Sequence, residues 1–260
     1  MNTMQRYLLF QLYGPMSAWG DIAVGESRVT TPLPGRSALL GMLAAALGLK
    51  RTDEESLGAL SAATRFAVLT LNSGSFLRDY HTVQVPPTSA LKKRPARTRR
   101  DELLVPKSEL GTILSSRDYR CDALHRVAVE STGAGAVPLE DLERALLKPI
   151  FPIYLGRKAC PPALPLQPQI VEARTVLEAF RISNFDTPAT WLGDIVSKGE
   201  IATLDQPPYP LCWEEGMKSG IEPLKTSARR DQPRTRRRWQ FDERIEHQAM
   251  LENLEDSPCT

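Results

Sequence analysis

The length, composition and charge of the chain bound what it can be. Its 260 residues can form one large domain or two small ones, with a core that needs no disulfide bonds. The four cysteines lack the CxxC and CxxH spacings of a zinc site, and no apolar run approaches the roughly 18 residues of a membrane span. We therefore expect a cytoplasmic protein with no membrane contact, no metal and no cofactor.

The predicted elements begin with a strand, a helix and a second strand. The apolar and aromatic run at residues 7–13 predicts a buried strand that ends at a Gly-Pro turn. Apolar residues at helical spacing over 37–49 predict a helix with Ser37 as its N-cap. Residues 65–71 predict the second strand. This order is typical of the start of a ferredoxin-like or RNA-recognition-motif domain.

The middle of the chain is predicted to form a basic arm. Hydrophobic periodicity disappears between residues 85 and 112, where prolines and a basic cluster replace it. We place this insertion at about residues 82–115 and expect it to protrude from the sheet.

Further elements follow the arm. Residues 123–130 predict a strand, 138–148 an amphipathic helix and 150–155 another strand, which together complete a β-α-β-β-α-β layout. Residues 156–215 are rich in proline and irregular, with a helix expected near 171–180. The predicted fold class is α+β, with a domain over 1–215 and a basic, irregular C-terminal segment over 216–260.

Two segments hold much of the positive charge, although the net charge is only +2. Residues 78–107 carry eight Lys or Arg against three acids, and residues 225–244 carry the same numbers. Guanidinium groups suit phosphate binding and base stacking better than ammonium groups do. One such run is also compatible with a solvated loop, but two favour a polyanionic partner.

Several patches occur in a characteristic order. They are FQLYGPMSAWG at 10–20, SRVTTPLPGRSALLGMLAAALGL at 27–49, DYHTVQ at 79–84, TRRDEL at 98–103, SSRDYRCDA at 115–123 and YLGRKACPPALPL at 154–166. Together they resemble the Cas5 family of CRISPR-associated proteins, in the CasD form found in type I-E Cascade. The residues after 166 match only loosely.

The resemblance implies a modified RNA-recognition fold with a β-hairpin thumb that holds the 5′ handle of the CRISPR RNA. It also implies that RNA cleavage is left to a different subunit. The implied partners are the CRISPR RNA, the repeated backbone subunit CasC and the large subunit CasA, with target DNA reached through the complex. The thumb corresponds to the basic arm, whose ALKKRPAR insert is longer and more basic than the family pattern.

A single-stranded handle can be recognised by base stacking and by neutralisation of its phosphates. The Gly-Pro turn brings Met16 and Trp19 to the end of the first strand, with core packing as the alternative for Trp19. The helix start at Arg36 and Ser37 suits a phosphate, with an ordinary N-cap as the alternative. The RNA-binding candidates are Met16, Trp19, Arg28, Arg36, Ser37, His81, Lys92, Lys93, Arg94, Arg97, Arg99, Arg100, Arg117, Tyr119, Arg157 and Lys158.

The alternative function is a metal-independent endoribonuclease. Tyr80 and His81 are the candidate catalytic pair, because a histidine could take the proton of a 2′-hydroxyl group. His81 lies in a patch that matches the non-catalytic pattern, so we expect no enzyme activity. A general messenger or ribosomal RNA binder is a third alternative, although the aromatic signature of such proteins is missing.

Overall fold

The computed structural model describes residues 3–21, 25–93, 96–133, 137–186, 190, 193, 207–236 and 238–254. The strands are β1 (Gln5–Tyr13), β2 (Trp19–Gly20), β3 (Ser27–Arg28), β4 (Thr30–Thr31), β5 (Thr64–Asn72), β6 (Ser75–Val85), β7 (Gly111–Cys121), β8 (Leu124–Ser131), β9 (Gln169–Ala173), β10 (Tyr209–Glu214), β11 (Lys225–Thr235) and β12 (Gln240–Leu251). The helices are α1 (Arg36–Ala46), α2 (Glu54–Ala63), α3 (Thr88–Lys93), α4 (Arg99–Glu102), α5 (Leu139–Leu147) and α6 (Val176–Ile182). The fold is mixed α+β, as predicted, and its strands are mostly antiparallel.

Seven strands form the main sheet in the order β11-β12-β10-β5-β8-β1-β9. Every neighbouring pair in this sheet is antiparallel. The strands predicted at 7–13, 65–71 and 123–130 are β1, β5 and β8, and the helices predicted at 37–49 and 138–148 are α1 and α5. These elements are recognisable from sequence because each is a long apolar or amphipathic run bounded by turn residues.

Both faces of the main sheet are covered. Alternate side chains of β1 point to opposite faces, so that Leu8 and Phe10 pack with α1, α2 and α5, whereas Tyr7 and Leu9 pack with α6. The central strands therefore present no open face to a ligand, and binding surfaces lie on the insertions and edges.

Two local predictions are wrong. The strand expected at 150–155 is a loop, because the amides of Ile150 and Phe151 donate to the carbonyls of Ala46 and Ala45 at the end of α1. The helix expected near 171–180 begins only at Val176, since the Thr175 hydroxyl accepts a hydrogen bond from the Glu178 amide and caps it there. The residues before this cap form β9.

The C-terminal part is more regular than predicted. Residues 225–251 hold the long antiparallel hairpin β11–β12, and β12 also pairs with β10. Strand pairing thus runs across the predicted boundary between residues 215 and 216, although the division into two folding units stays a prediction. The regularity is hidden in the sequence because these strands carry charged residues that pair with one another.

No helix in the described ranges is both long and apolar enough to span a bilayer.

Candidate nucleic-acid interface

The predicted thumb is a hairpin with a helical tip. Strands β6 and β7 pair in unbroken antiparallel register from Ser75↔Cys121 to Val85↔Gly111, and β3 pairs in parallel with β7. The stem therefore begins earlier and ends later than the predicted insertion at 82–115. The intervening residues carry the short helices α3 and α4 in place of a simple β-turn.

A capping box holds the tip helix α4 in place. The Thr98 hydroxyl accepts a hydrogen bond from the Asp101 amide at 3.2 Å, and the Asp101 carboxylate accepts one from the Thr98 amide at 3.0 Å. This exchange fixes the helix that carries Arg99 and Arg100, both of which are exposed. The tip therefore presents its cations from an ordered turn.

One face of the stem carries exposed aromatic rings beside arginines. Phe76 and Tyr80 are 52% and 64% exposed and lie on the same face of β6 as Arg78, since alternate residues of a strand share a face. The guanidinium carbons of Arg78 and Arg120 lie 5.4 and 5.8 Å from the centroid of the Phe76 ring. We call Phe76, Arg78, Tyr80 and Arg120 the thumb platform. Such a combination can stack a base and neutralise its phosphate together.

The thumb platform is held in position by a buried carboxylate. Arg78 donates to both oxygens of Asp118 across the hairpin, at 2.7 and 3.1 Å. Hydrogen bonding from Arg78 holds the pKa of Asp118 below its usual value, so the carboxylate stays charged. Sequence reasoning missed Phe76 and Arg78 as site residues. The available signal was the alternation Phe-x-Arg-x-Tyr at 76–80, which places three stacking or charged groups on one face of a strand.

The candidate catalytic pair does not converge. Tyr80 and His81 are consecutive in β6, so their side chains point to opposite faces of the stem. His81 forms a pair with the carboxylate of Asp79 on its own face. The two side chains therefore cannot act together on one RNA phosphate from this hairpin.

Several predicted residues meet at the base of the thumb. The Arg157 guanidinium carbon lies 4.7 Å from the Tyr119 ring centroid, and its nitrogens donate to the carbonyls of Asp118 and Arg28 at 3.1 and 3.0 Å. Arg28 is also the β3 partner of Arg117. Tyr119 itself is buried, so its ring positions Arg157. The prediction that Tyr119 contacts RNA directly is therefore corrected.

The Gly-Pro turn packs against the loop that carries Arg157 and Lys158. Gly156 has φ of +87°, and a Cβ there would lie 1.9 Å from the Ala18 carbonyl oxygen. Only glycine fits this close approach. The contact places the half-buried Met16 near the base of the thumb, and Lys158 of the same loop is exposed.

Trp19 and Arg36 are structural residues. Trp19 is 1% exposed and packs edge-on against His125 with ring centroids 6.1 Å apart, so core packing is the correct alternative. The Arg36 side chain is buried, pairs with Glu214 and donates to the Thr64 carbonyl at 3.1 Å. Neither side chain is accessible to RNA.

The start of α1 already holds an anion from the same chain. Its N-cap is Gly35, and the Arg36 amide donates to the Asp231 carboxylate at 2.8 Å. Asp231 comes from β11 and is itself held by Arg244 at 2.6 and 2.9 Å. The predictions of Ser37 as N-cap and of a phosphate site at Arg36 and Ser37 are thereby corrected, because Asp231 occupies that position.

The remaining candidates that the structure describes include four arginine and lysine residues of the thumb tip. Lys92 and Arg97 are exposed, as are Arg99 and Arg100. Arg94 and the side chain of Lys93 lie outside the described residues. Within the described part of the chain, no group of three or more His, Cys, Asp or Glu side chains could hold a metal ion.

Comparison with known proteins agrees with this architecture. The family model "CRISPR-associated protein (Cas_Cas5)" matches residues 7–245. The CRISPR system Cascade subunit CasD of Escherichia coli (strain K12) is 40% identical over 171 residues, which are 63% of this chain and 70% of that protein.

Solved structures give the same result. A chain of a CRISPR RNA-guided surveillance complex aligns with a TM-score of 0.62 at 27% identity, covering 95% of this chain and 90% of the other. A crystal structure of a Cas protein aligns with a TM-score of 0.58 over 97% of this chain and all of the other, and at 24% identity it shows the fold alone. The family match spans most of the sequence, and the chain belongs to the Cas5 family of CRISPR-associated proteins.

Proposed function

We propose that this chain is a non-catalytic subunit of a type I-E Cascade complex and binds the 5′ handle of the CRISPR RNA. The observation that carries the proposal is the thumb platform, in which the guanidinium groups of Arg78 and Arg120 both lie close to the exposed Phe76 ring. Handle bases would stack on Phe76 and Tyr80, while the cations of the thumb tip would neutralise phosphates further along the strand.

The connectivity of the main sheet supports an RNA-recognition-motif origin. The elements β1, α1, β5, β8, α5 and β9 follow one another as β-α-β-β-α-β, and their strands take the order β9-β1-β8-β5. This is the arrangement of a ferredoxin-like domain. An ordinary RNA-recognition motif stacks bases on its open sheet face. Here α6 covers that face, which favours the thumb as the binding surface.

The proposed partners follow from the family. The matched Escherichia coli protein is a Cascade subunit, and by analogy this chain would contact the CRISPR RNA, the CasC backbone and the CasA large subunit in the cytoplasm. Target DNA would be reached through the assembled complex.

An aromatic substitution in the thumb platform tests RNA binding. We expect Phe76→Ala with Tyr80→Ala to weaken the affinity of the complex for CRISPR RNA by about 30-fold or more, because two rings are removed and stacking is worth about 1–3 kcal/mol per base. Filter binding with a labelled RNA carrying the 5′ handle measures this effect. Both rings are exposed, so the melting temperature should not change.

Ile182→Ala is the matched control, since Ile182 is an apolar residue of α6 with 52% exposure. Equal affinity of the platform variant and the control would overturn the proposed site. Sequencing of the bound RNA provides a second criterion, because recovery of messenger or ribosomal fragments in place of CRISPR RNA would contradict the function. Specific cleavage of repeat RNA that is abolished in His81→Ala would make the endoribonuclease the preferred function.

A further inference from the structure

A second basic and aromatic surface lies away from the thumb. It is a groove of about 770 Å³ between the end of α1, the start of α2, the loop at 151–161 and the turn of the β11–β12 hairpin. Its basic and aromatic lining residues are Lys50, Arg51, Lys158, Arg236, Phe151, Tyr154 and Trp239. Among the described residues, no aspartate or glutamate lines it. This composition favours an anionic ligand with flat apolar rings.

Trp239 is the most prominent ring in this groove. Its side chain is 57% exposed, and its backbone has φ of 52°, a left-handed conformation that is strained for a bulky residue. Such strain is concentrated at functional sites, where the surrounding structure maintains it. Arg51 lies over the indole, with its guanidinium carbon 4.8 Å from the ring centroid.

The hairpin turn is anchored to the helices beneath it. The Arg51 side chain donates to the Arg236 carbonyl at 2.8 Å, and the Arg236 guanidinium donates to the Ser37 carbonyl at 2.9 Å. The Arg236 guanidinium passes over Gly41, where a Cβ would approach it to 3.3 Å. Trp239 and Arg51 are therefore held in one arrangement before any ligand binds, which lowers the entropic cost of binding.

We propose that this groove binds a single-stranded polynucleotide, with one base stacked on Trp239 and the adjoining phosphates beside Lys50 and Lys158. Base stacking next to cations is the usual mode of single-strand recognition. An acidic peptide would use the cations but would leave the flat, exposed rings without a matched partner. A groove of this size has room for only one or two nucleotides.

The groove and the thumb are neighbouring but separate sites. Arg157 contacts the base of the thumb, whereas the next residue, Lys158, lines the groove. A strand bound at one site could continue to the other. The inference goes beyond handle binding by the thumb and does not depend on it, since the groove is built from other residues.

Tryptophan fluorescence can test the groove in the full-length chain. Trp19 and Trp213 are buried, and Trp191, which lies outside the described residues, is replaced by Phe in every variant. A change of emission on ligand binding then reports chiefly on the exposed Trp239. We expect short single-stranded oligonucleotides to quench it saturably, and Lys158→Ala with Lys50→Ala to raise the quenching midpoint on the order of tenfold.

Matched variants separate the two sites. Arg144→Ala removes an exposed cation of α5 and should leave the midpoint unchanged. Phe76→Ala with Tyr80→Ala should reduce thumb binding but retain the saturable quenching of Trp239, so failure of one proposal is distinguishable from failure of the other. RNA and DNA oligonucleotides of one sequence form parallel arms, and quenching by RNA alone would identify a guide strand, whereas quenching by DNA would identify a target strand.

Two results would overturn the inference. One is unchanged Trp239 emission in both arms while anisotropy shows that the oligonucleotide is bound to the chain. The other is a groove variant in which oligonucleotides quench Trp239 as they do in the parent chain, but which loses a protein partner during assembly of the complex. That result would make the groove a protein interface.

Discussion

The thumb hairpin and the C-terminal hairpin have similar sequences in terms of charge but use that charge differently. Both are long antiparallel hairpins, and each belongs to a segment with eight cations against three acids. At the thumb tip, Arg99 pairs with Glu102 on the surface. In the C-terminal hairpin, Arg244 pairs with Asp231 and Glu246, and all three side chains are largely buried. The tip of one hairpin leaves its arginines on the surface, whereas the other hairpin uses several of its arginines to complete the fold.

The difference depends on where the acids lie. Glu246 and Glu214 are outside the basic segment 225–244, but β12 and β10 bring them beside Arg244 and Arg36. The thumb tip has no such supply of carboxylates from a neighbouring strand among the described residues. Local charge density therefore predicts a cationic segment without distinguishing a binding surface from an internal ion-pair network.

Breaking the buried network should have the largest effect on stability. We expect Glu214→Ala to lower the free energy of unfolding by about 3–5 kcal/mol, because it leaves the Arg36 guanidinium buried without its carboxylate. Urea denaturation measures this change. The exposed counterpart in the thumb, Glu102→Ala, should cost less than about 1 kcal/mol.

The double variant Arg36→Met with Glu214→Leu is the control for this prediction. Replacing both charges with apolar groups should recover most of the stability that Glu214→Ala removes. Equal costs for Glu214→Ala and Glu102→Ala would remove the distinction between the two hairpins.

The stability of the folded chain also depends on pH, through the buried His125. Burial lowers the pKa of His125 from 6.5 to about 3. His125 therefore stays neutral in the folded chain at pH values between these two, at which the imidazole of the unfolded chain is protonated. This contribution to stability is therefore complete above pH 6.5 and is lost as the pH falls toward 3, by up to about 1.4 kcal/mol per pH unit. Urea denaturation at several pH values should give a shallower slope for His125→Gln.

Ile182→Ala is the control, because it removes an exposed side chain that carries no ionisable group. We expect it to leave the slope between pH 6.5 and 4 close to that of the parent chain. An unchanged slope for His125→Gln would mean that another group governs the acid sensitivity.

Removing the tip cations should have the smallest effect on stability but a clear effect on RNA binding. We expect Arg97→Ala, Arg99→Ala and Arg100→Ala together to change the free energy of unfolding by no more than about 1 kcal/mol, as is usual for surface substitutions. The dependence of log affinity on log salt concentration should become shallower by about 0.7 for each phosphate that the variant no longer neutralises. A salt titration of RNA binding that matches the parent chain would show that the tip is only a solvated surface.

The sequence predicted the family and most of the elements with apolar periodicity, but not most of the candidate site. Trp19 and Arg36 were chosen for residue types that bind RNA, yet His125 and Glu214 hold them inside the fold. These contacts join residues more than a hundred positions apart, so no local pattern reveals them. Phe76 was missed because its significance depends on strand alternation and on Arg120 across the hairpin.

The carboxylate that caps the first helix has a consequence for the order in which the chain folds. Asp231 binds the amide of Arg36 although 195 positions separate them. During synthesis, α1 leaves the ribosome long before its cap and long before Glu214, the partner of its first side chain. Contacts of such high sequence separation slow folding. The N-terminal half therefore remains incompletely stabilised until the last strands have been synthesised. Truncated or stalled chains should be targets for chaperones and proteases.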